Sequence, residues 1–288
     1  MIGDPMSDDS RYFRGCRGGK SVRLSRISNI ATGHALIVPM DHSVTIGPLG
    51  SVDRVANVLQ SIAQAGADAV VLHRGRATQA DAGAFARMGL IVHLSAGTNR
   101  SLDADAKVMV GGVEDALRVG ADAVSIHVNI GSTTEHRQLE DFWAVSRECE
   151  ILGVPLLAMM YSRGPLRPTG AEDAAEVAHL AAIATDLGAD LVKVNYTGDP
   201  ESMRTVVESC PIPIYVAGGS RVGSDEDAVS LGAEIMSGGV AGLSFGRNIF
   251  AATNPYAVTA QLAQIVHGAR GEAEREAFGH PAPALESA

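Results

Sequence analysis

Eight short apolar runs, set apart by helix-length intervals, constrain this chain more than any other feature. They fall at 35–40 (Ala-Leu-Ile-Val-Pro-Met), 69–72, 90–94, 123–128, 155–160, 191–195, 213–217 and 240–245. Near-continuous apolarity over so few residues suits strands of a parallel sheet buried on both faces. Between most of them lie stretches of helical period, at 52–65, 135–151, 171–187, 224–232 and 255–267. Gly66-Ala-Asp, Gly120-Ala-Asp, Gly188-Ala-Asp and Gly232-Ala-Glu each read as closing a helical stretch, and three of the four lead directly into an apolar run. Glycine just past a helix takes the left-handed conformation that ends it, so four copies imply recurring helix-to-strand junctions. Segment 107–119 reads as an extra short strand and helix.

Eight strands alternating with helices predict a (β/α)8 TIM barrel in a single α/β domain. The alternative is an open doubly wound sheet, which is weakened because no Gly-x-Gly-x-x-Gly follows the first strand. The barrel is expected over 31–268, with a polar, Gly/Arg-rich N-terminal arm at 1–30 and a mobile C-terminal tail at 269–288. In the arm, Arg11, Arg14, Arg17, Lys20, Arg23 and Arg26 recur every third residue. They suit either docking on an acidic neighbour or a solvated or packing arm.

Composition narrows the function. The net charge of −10 over 288 residues makes nucleic acid an unlike partner. Three widely spaced cysteines (Cys16, Cys149, Cys210), with no Cys-x-x-Cys, support neither a disulfide framework nor a cysteine-rich zinc site. The first residues lack an apolar signal region, and no apolar run is long enough to span a bilayer, so a cytoplasmic protein is expected. Only Lys20, Lys107 and Lys193 among the 23 basic residues are lysines, which makes each worth inspection.

In such a barrel the active site lies at the C-terminal strand ends. Polar groups gather there on every strand: Asp41-His42, His73-Arg74-Gly75, His93 and Ser95, His127 and Asn129, Tyr161-Ser162-Arg163, Lys193 and Asn195, Gly218-Gly219-Ser220, and Gly246-Arg247-Asn248. Lys193 stands out. By period two, Leu191, Lys193 and Asn195 face the barrel axis, while Val192 and Val194 face the helices. An ammonium directed into a packed interior is costly to keep charged, and an amine that sheds its proton there attacks carbonyls and forms Schiff bases. A buried structural ion pair would also place a lysine there. Tyr161 and Asp41 at nearby strand ends favour the nucleophile.

Gly218-Gly219-Ser220 and Gly246-Arg247 close the seventh and eighth runs, the usual phosphate position of these barrels. Glycines let backbone N–H groups approach an anion, and Arg247 can clamp its oxygens. His42, His73, His93 and His127 near four strand ends could make a metal centre. However, there is no His-x-His or His-Glu-x-x-His spacing, and cations stand close in sequence, so hydrogen bonding to substrate or to Asp41 is favoured and no metal is expected.

Several segments resemble the DhnA-type class I aldolases of the DeoC/FbaB superfamily. They are Pro-Met-Asp41-His-Ser-Val-Thr-Ile-Gly-Pro, Leu-Ile-Val-His-Leu-Ser-Ala, Ala-Val-Ser-Ile-His-Val-Asn-Ile-Gly-Ser, Leu-Leu-Ala-Met-Met-Tyr161-Ser-Arg-Gly, Val-Lys193-Val-Asn-Tyr-Thr-Gly-Asp and Gly246-Arg-Asn-Ile-Phe, running in matching order from about 24 to 266. Within that family the chain is most similar to the 2-amino-3,7-dideoxy-heptulosonate synthases and to a bacterial branch making 2-amino-4,5-dihydroxy-6-oxo-7-(phosphooxy)heptanoate. The resemblance implies a Schiff-base Lys193, a proton-shuttling Tyr161 and an acid/base Asp41, with no cofactor beyond the covalent imine. It implies phosphate contacts at Gly219, Ser220, Gly246 and Arg247, with Gly218 beside them. His42, His127, Arg74 and Arg163 are expected to meet substrate. The substrates implied are a phosphorylated ketose donor, dihydroxyacetone phosphate, and the aldehyde acceptor L-aspartate semialdehyde. A large ring-like homo-oligomer, a decamer, is implied as well. Arg74 stands where many members have Lys, Ser162 where many have Pro, and Ser220-Arg221 where many have Pro-Lys. The alternatives are a transaldolase-type synthase using 6-deoxy-5-ketofructose 1-phosphate and a class I fructose-bisphosphate aldolase. From other classes come a metal-dependent lyase and a non-catalytic binding barrel.

Overall fold

The computed structural model describes residues 18–165, 167 and 173–277, with backbone alone beyond 268. Arg11, Arg14, Arg17 and the end of the chain after 277 lie outside the described residues. Eight parallel strands close into a barrel. We number them β1 (Ala35–Pro39), β2 (Ala69–His73), β3 (Gly89–His93), β4 (Ala123–Ile130), β5 (Leu156–Ser162), β6 (Leu191–Val194), β7 (Ile214–Ala217) and β8 (Gly242–Ser244). Sequential strands are neighbours, and β1 pairs with β8 through Ala35↔Gly242 to close the ring. The extra segment is a two-residue strand, Val108–Met109, antiparallel to Ser95–Ala96, followed by helix Val113–Arg118.

Strand alternation produces two apolar layers. Val192 and Val194, with Leu36, Val70, Val92, Ile126 and Ala158, pack against the helices. Leu191, Ile37, Val71, Ile91, Leu157, Met159 and Tyr215 fill the barrel interior, whose base is sealed by Leu24 and Ile27. Those two residues belong to helix Gly19–Leu24 and the turn after it, so the end of the polar N-terminal stretch is a packed plug.

The Gly-Ala-Asp repeat has a second role at this base. Asp68, Asp122 and Asp190 each reach back to the preceding strand and accept its first free N–H, from Leu36 at 2.7 Å, Leu90 at 3.0 Å and Leu156 at 2.9 Å. Each also meets a nitrogen donor from towards a chain end: His267 Nε2 at 2.8 Å from Asp68, Arg26 Nε at 3.2 Å from Asp122, and Lys20 Nζ at 3.1 Å from Asp190. For Lys20 and Arg26, therefore, the acidic neighbour is the barrel's own base. Gly66, Gly120 and Gly188 have φ of 93°, 86° and 85°, as the helix-stop reading requires.

The fourth copy differs. Gly232 lies inside helix Asp225–Ser237, and a Cβ there would collide with Leu262 of the last helix. It is a close-packing glycine between two helices, and the left-handed stop falls at Gly239, φ 79°. The last helix, Pro255–Ala277, runs beyond the expected start of the tail, with a break at Gly268.

Candidate active site

Lys193 is the third residue of β6, on the inward face two positions above Leu191, and only 6 % exposed. It is paired in register with Met159 of β5 on one side and Tyr215 of β7 on the other. Tyr161, two residues beyond Met159 on the same face, stands one layer nearer the barrel mouth and is 6 % exposed. Asp41 follows β1, whose end is held by the Met40 N–H donating to Val71 O at 2.8 Å. Burial pushes the Asp41 carboxyl up, but His93, His42, Lys193 and His73 together outweigh it and hold it below its ordinary value. Asp41 is thus ionised at neutral pH, in a nest of groups that includes the Lys193 amine.

The histidines divide by role. Burial, opposed by Asp41 and aided by His73 and Lys193, lowers the His93 pKa to about 4, so its ring is neutral at pH 7. Its Nδ1 lies 2.9 Å from Ser125 Oγ and its Nε2 3.9 Å from Asp41 Oδ2. A proton on Nε2, facing the carboxylate, is the electrostatically sensible tautomer, with the Ser125 hydroxyl donating to Nδ1. His73 Nδ1 donates to the His93 carbonyl at 3.1 Å. His42 Nδ1 is 3.4 Å from Asp41 Oδ1 without hydrogen-bond alignment, and its ring meets Phe250 edge-on.

His127 serves the other side of the site. Asn129 Nδ2 donates to Asp105 O at 2.7 Å, which fixes the amide so that its Oδ1 accepts from His127 Nε2 at 2.7 Å. The His127 ring is 4.8 Å from the Tyr161 ring, and the Arg163 guanidinium lies 4.5 Å from the same ring's centroid. Burial first, then Arg163 and Lys107, keep His127 well below its usual pKa. Among the described residues no group of three or more His, Cys, Asp or Glu side chains converges as a metal ion would need.

Across the mouth, Gly218-Gly219-Ser220 follow β7 and Gly246-Arg247 follow β8, next to His42 in the loop after β1. Gly219 has φ 66°, and a Cβ on Gly246 would sit 2.6 Å from Pro39 O and 2.8 Å from His42 Cε1. Glycine there is a steric requirement. Arg247 Nε is buried and, among the described residues, has no hydrogen-bond partner, as a cradle for an anion would be. The longer helix after β7 does not offer its N-terminus. Ser224 and Asp227 close it as a capping box, and Asp225, Glu226 and Asp227 make its first turn acidic. An anion would therefore meet the two strand-end loops and the single turn Arg247–Phe250.

The motif pattern places Asn248 at the end of the eighth strand but gives it no role, and it is the residue that joins these loops. Asn248, 1 % exposed, donates through Nδ2 to Gly218 O at 2.7 Å and accepts the Val222 N–H on Oδ1 at 3.0 Å. Nothing local in sequence marks its partners, which lie 26 and 30 positions away. His93 and Ser125, both inward-facing at period two, were legible as polar interruptions of apolar runs. Arg74 is exposed past β2, beside a cavity of about 210 Å³ lined also by His73, His93 and Ala96, and does not join the Tyr161 cluster.

A closed eight-stranded barrel with a buried axial lysine, an ionised aspartate and an inward tyrosine at its mouth defines the scaffold of a class I aldolase. The chain belongs to the DeoC/LacD aldolase family, whose model matches residues 35–252. A 2-amino-4,5-dihydroxy-6-oxo-7-(phosphonooxy)heptanoate synthase of Streptomyces griseus is 42 % identical over 260 residues, covering 90 % of this chain and 94 % of that one. A 2-amino-3,7-dideoxy-D-threo-hept-6-ulosonate synthase of Archaeoglobus fulgidus is 42 % identical over 250 residues, covering 87 % and 92 %. An archaeal fructose-1,6-bisphosphate aldolase, solved with its catalytic Lys covalently bound to a carbinolamine intermediate, superposes with a TM-score of 0.78 at 27 % identity, covering 86 % of this chain and 99 % of that one. No described helix is long and apolar enough to cross a membrane.

Proposed function

We propose that this aldolase joins dihydroxyacetone phosphate to L-aspartate semialdehyde, giving a 2-amino-4,5-dihydroxy-6-oxo-7-(phosphooxy)heptanoate. The observation that carries the reading is Lys193, buried on the barrel axis within electrostatic reach of ionised Asp41 and one layer below Tyr161. The Lys193 amine adds to the donor ketone. Asp41 accepts the proton released and returns it to the departing hydroxyl, leaving an imine and water. Tyr161, directly or through water, takes a proton from the donor carbon to give the enamine, whose carbon then bonds to the acceptor aldehyde carbon. The resulting alkoxide takes a proton, and hydrolysis of the imine frees product and Lys193.

The donor phosphate occupies Gly218, Gly219, Ser220, Gly246 and Arg247, which sets its ketone over Lys193. His42 and His127 meet substrate hydroxyls, and Arg163, against Tyr161, is the cation at the mouth open to an acceptor carboxylate, a part in which Arg74, beyond His73, does not share. No cofactor enters beyond the imine. The reading includes a cytoplasmic homo-oligomer, a decamer by the family's pattern, which light scattering would test.

A fructose-bisphosphate aldolase would use the same three catalytic residues, and a transaldolase-type synthase would differ only in its donor. Higher identity to the heptanoate synthase than to the solved fructose-bisphosphate aldolase supports the stated acceptor. The test is the product, identified by mass and NMR. Dihydroxyacetone phosphate plus L-aspartate semialdehyde should give the seven-carbon amino acid phosphate, and Lys193→Ala should give none. A product formed only with glyceraldehyde 3-phosphate, or only from 6-deoxy-5-ketofructose 1-phosphate, would transfer the assignment to one of those alternatives.

A further inference from the structure

Lys107 is one of only three lysines, and the mechanism above does not use it. It ends the arch that leaves β3 and returns as strand Val108–Met109, and it is 8 % exposed. Its ammonium donates to the carbonyls of Ala104 at 2.9 Å and Ala106 at 3.3 Å. Two of its three N–H donors are thereby used and one is left over. Among the described residues neither Lys107 nor Arg163 has a carboxylate within 4 Å, and Asp103 and Asp105 act on Lys107 only through space. Asp103 is itself occupied by the Thr133 hydroxyl at 2.6 Å and by two backbone N–H groups.

This arch is anchored to the site. Asn129 and Gln138 both donate to Asp105 O, at 2.7 and 3.1 Å, so the β4 end that carries His127 also fixes the segment that carries Lys107. Lys107 and His127 line one narrow recess of about 10 Å³ with Ser95, Gln138 and Asp141, whose carboxylate is paired with Arg137 at 3.2 Å. From there the row continues through His127 to Tyr161 and on to Arg163. A buried cation without a contacting counter-ion is expensive to keep, and Lys107 is one; Arg163, exposed at the mouth, acts on it through space, and both act on His127 beside Tyr161. The donor phosphate lies on the opposite side, at β7 and β8. The new carbon–carbon bond forms at the carbon Tyr161 deprotonates, so the acceptor must lie on the Tyr161 side. Arg74, beyond His73, is on the wrong flank for a short aldehyde.

We propose that Lys107 and Arg163 form the subsite for the acceptor's carboxylate, selecting short aldehydes that carry an acid group. This rests on the aldolase reading with a carboxylate-bearing acceptor. The test uses the full chain and two half-reactions. Solvent-deuterium exchange into dihydroxyacetone phosphate, without acceptor, reports imine and enamine formation. Steady-state turnover with L-aspartate semialdehyde reports the acceptor. Lys107→Met should raise the KM for L-aspartate semialdehyde at least tenfold while donor exchange stays within twofold of the native rate, and Lys107→Arg should restore most of the loss. An unchanged acceptor KM in Lys107→Met, or a parallel fall in donor exchange that Lys107→Arg does not repair, would overturn the subsite. Absence of exchange in the native protein would instead remove the donor assignment, and this inference with it.

Discussion

Asn248 supplies the sharpest stability test of the phosphate loop. Its amide makes two hydrogen bonds to backbone, one to Gly218 O and one from Val222 N–H, and its side chain is buried. Asn248→Ala orphans both backbone groups, and each buried orphan costs ~1–3 kcal/mol. Gly218 is buried and Val222 half-buried, so water reaches only the second group and the sum should sit above the low end, about 3 kcal/mol. Freed of its staple, the Gly218–Val222 loop must be ordered by the donor phosphate itself. The KM for dihydroxyacetone phosphate should therefore rise roughly tenfold, equivalent to ~1.4 kcal/mol. Asn248→Asp separates the two bonds. Its carboxylate still accepts from Val222 but sets a negative oxygen against the Gly218 carbonyl, so at pH 8 it should lose at least as much as Asn248→Ala. Urea unfolding gives the stability and donor-dependent deuterium exchange the KM. An Asn248→Asp protein with native stability and native donor KM would refute the claim that this amide holds the phosphate loop.

Three further outcomes are expected. His93, with a folded pKa of about 4, binds fewer protons folded than unfolded between that value and the ordinary ~6.5, so stability should drain away as pH falls through this window, by up to ~3 kcal/mol. Depressed His127 and Asp41 act in the same direction, His127 through its window below the ordinary value and Asp41 at lower pH, and melting temperature against pH checks the slope. Gly246→Ala forces a methyl against Pro39 O and His42, an overpacking cost of ~1–3 kcal/mol that should also lower turnover by shifting His42, seen in parallel melting and rate assays. Asp190→Ala, at the barrel base, leaves the Leu156 N–H unpaired and should cost ~1–3 kcal/mol in urea unfolding without altering either KM.

The barrel was legible because burying each strand on both faces writes an unbroken apolar run, and the inward Lys193 interrupts one of them. Strand ends placed Lys193, Tyr161 and Asp41 at one mouth, and the family resemblance supplied the roles proposed for them. What stayed hidden was set by contacts across the fold. Asn248 reads as one more polar residue after a glycine, since its partners lie 26 to 30 positions away. Gly232 shares its local pattern with three helix stops, yet what requires glycine there is the close approach of Leu262 from a different helix. Lys107 drew notice only by rarity, and its link to Tyr161 runs through His127, Asn129 and a backbone carbonyl. The Asp of each repeat looked like helix-end punctuation, because a strand N–H waiting on the neighbouring strand leaves no mark beside it.

The proposed mechanism requires that Lys193 form the imine. Borohydride reduction in the presence of dihydroxyacetone phosphate, followed by peptide mass spectrometry, reads this directly. A reduced three-carbon phosphate adduct on Lys193, absent without borohydride, is the result expected. An adduct on Lys20 or Lys107 with Lys193 unmodified, or no adduct with this donor or with hexose phosphates, would contradict the mechanism.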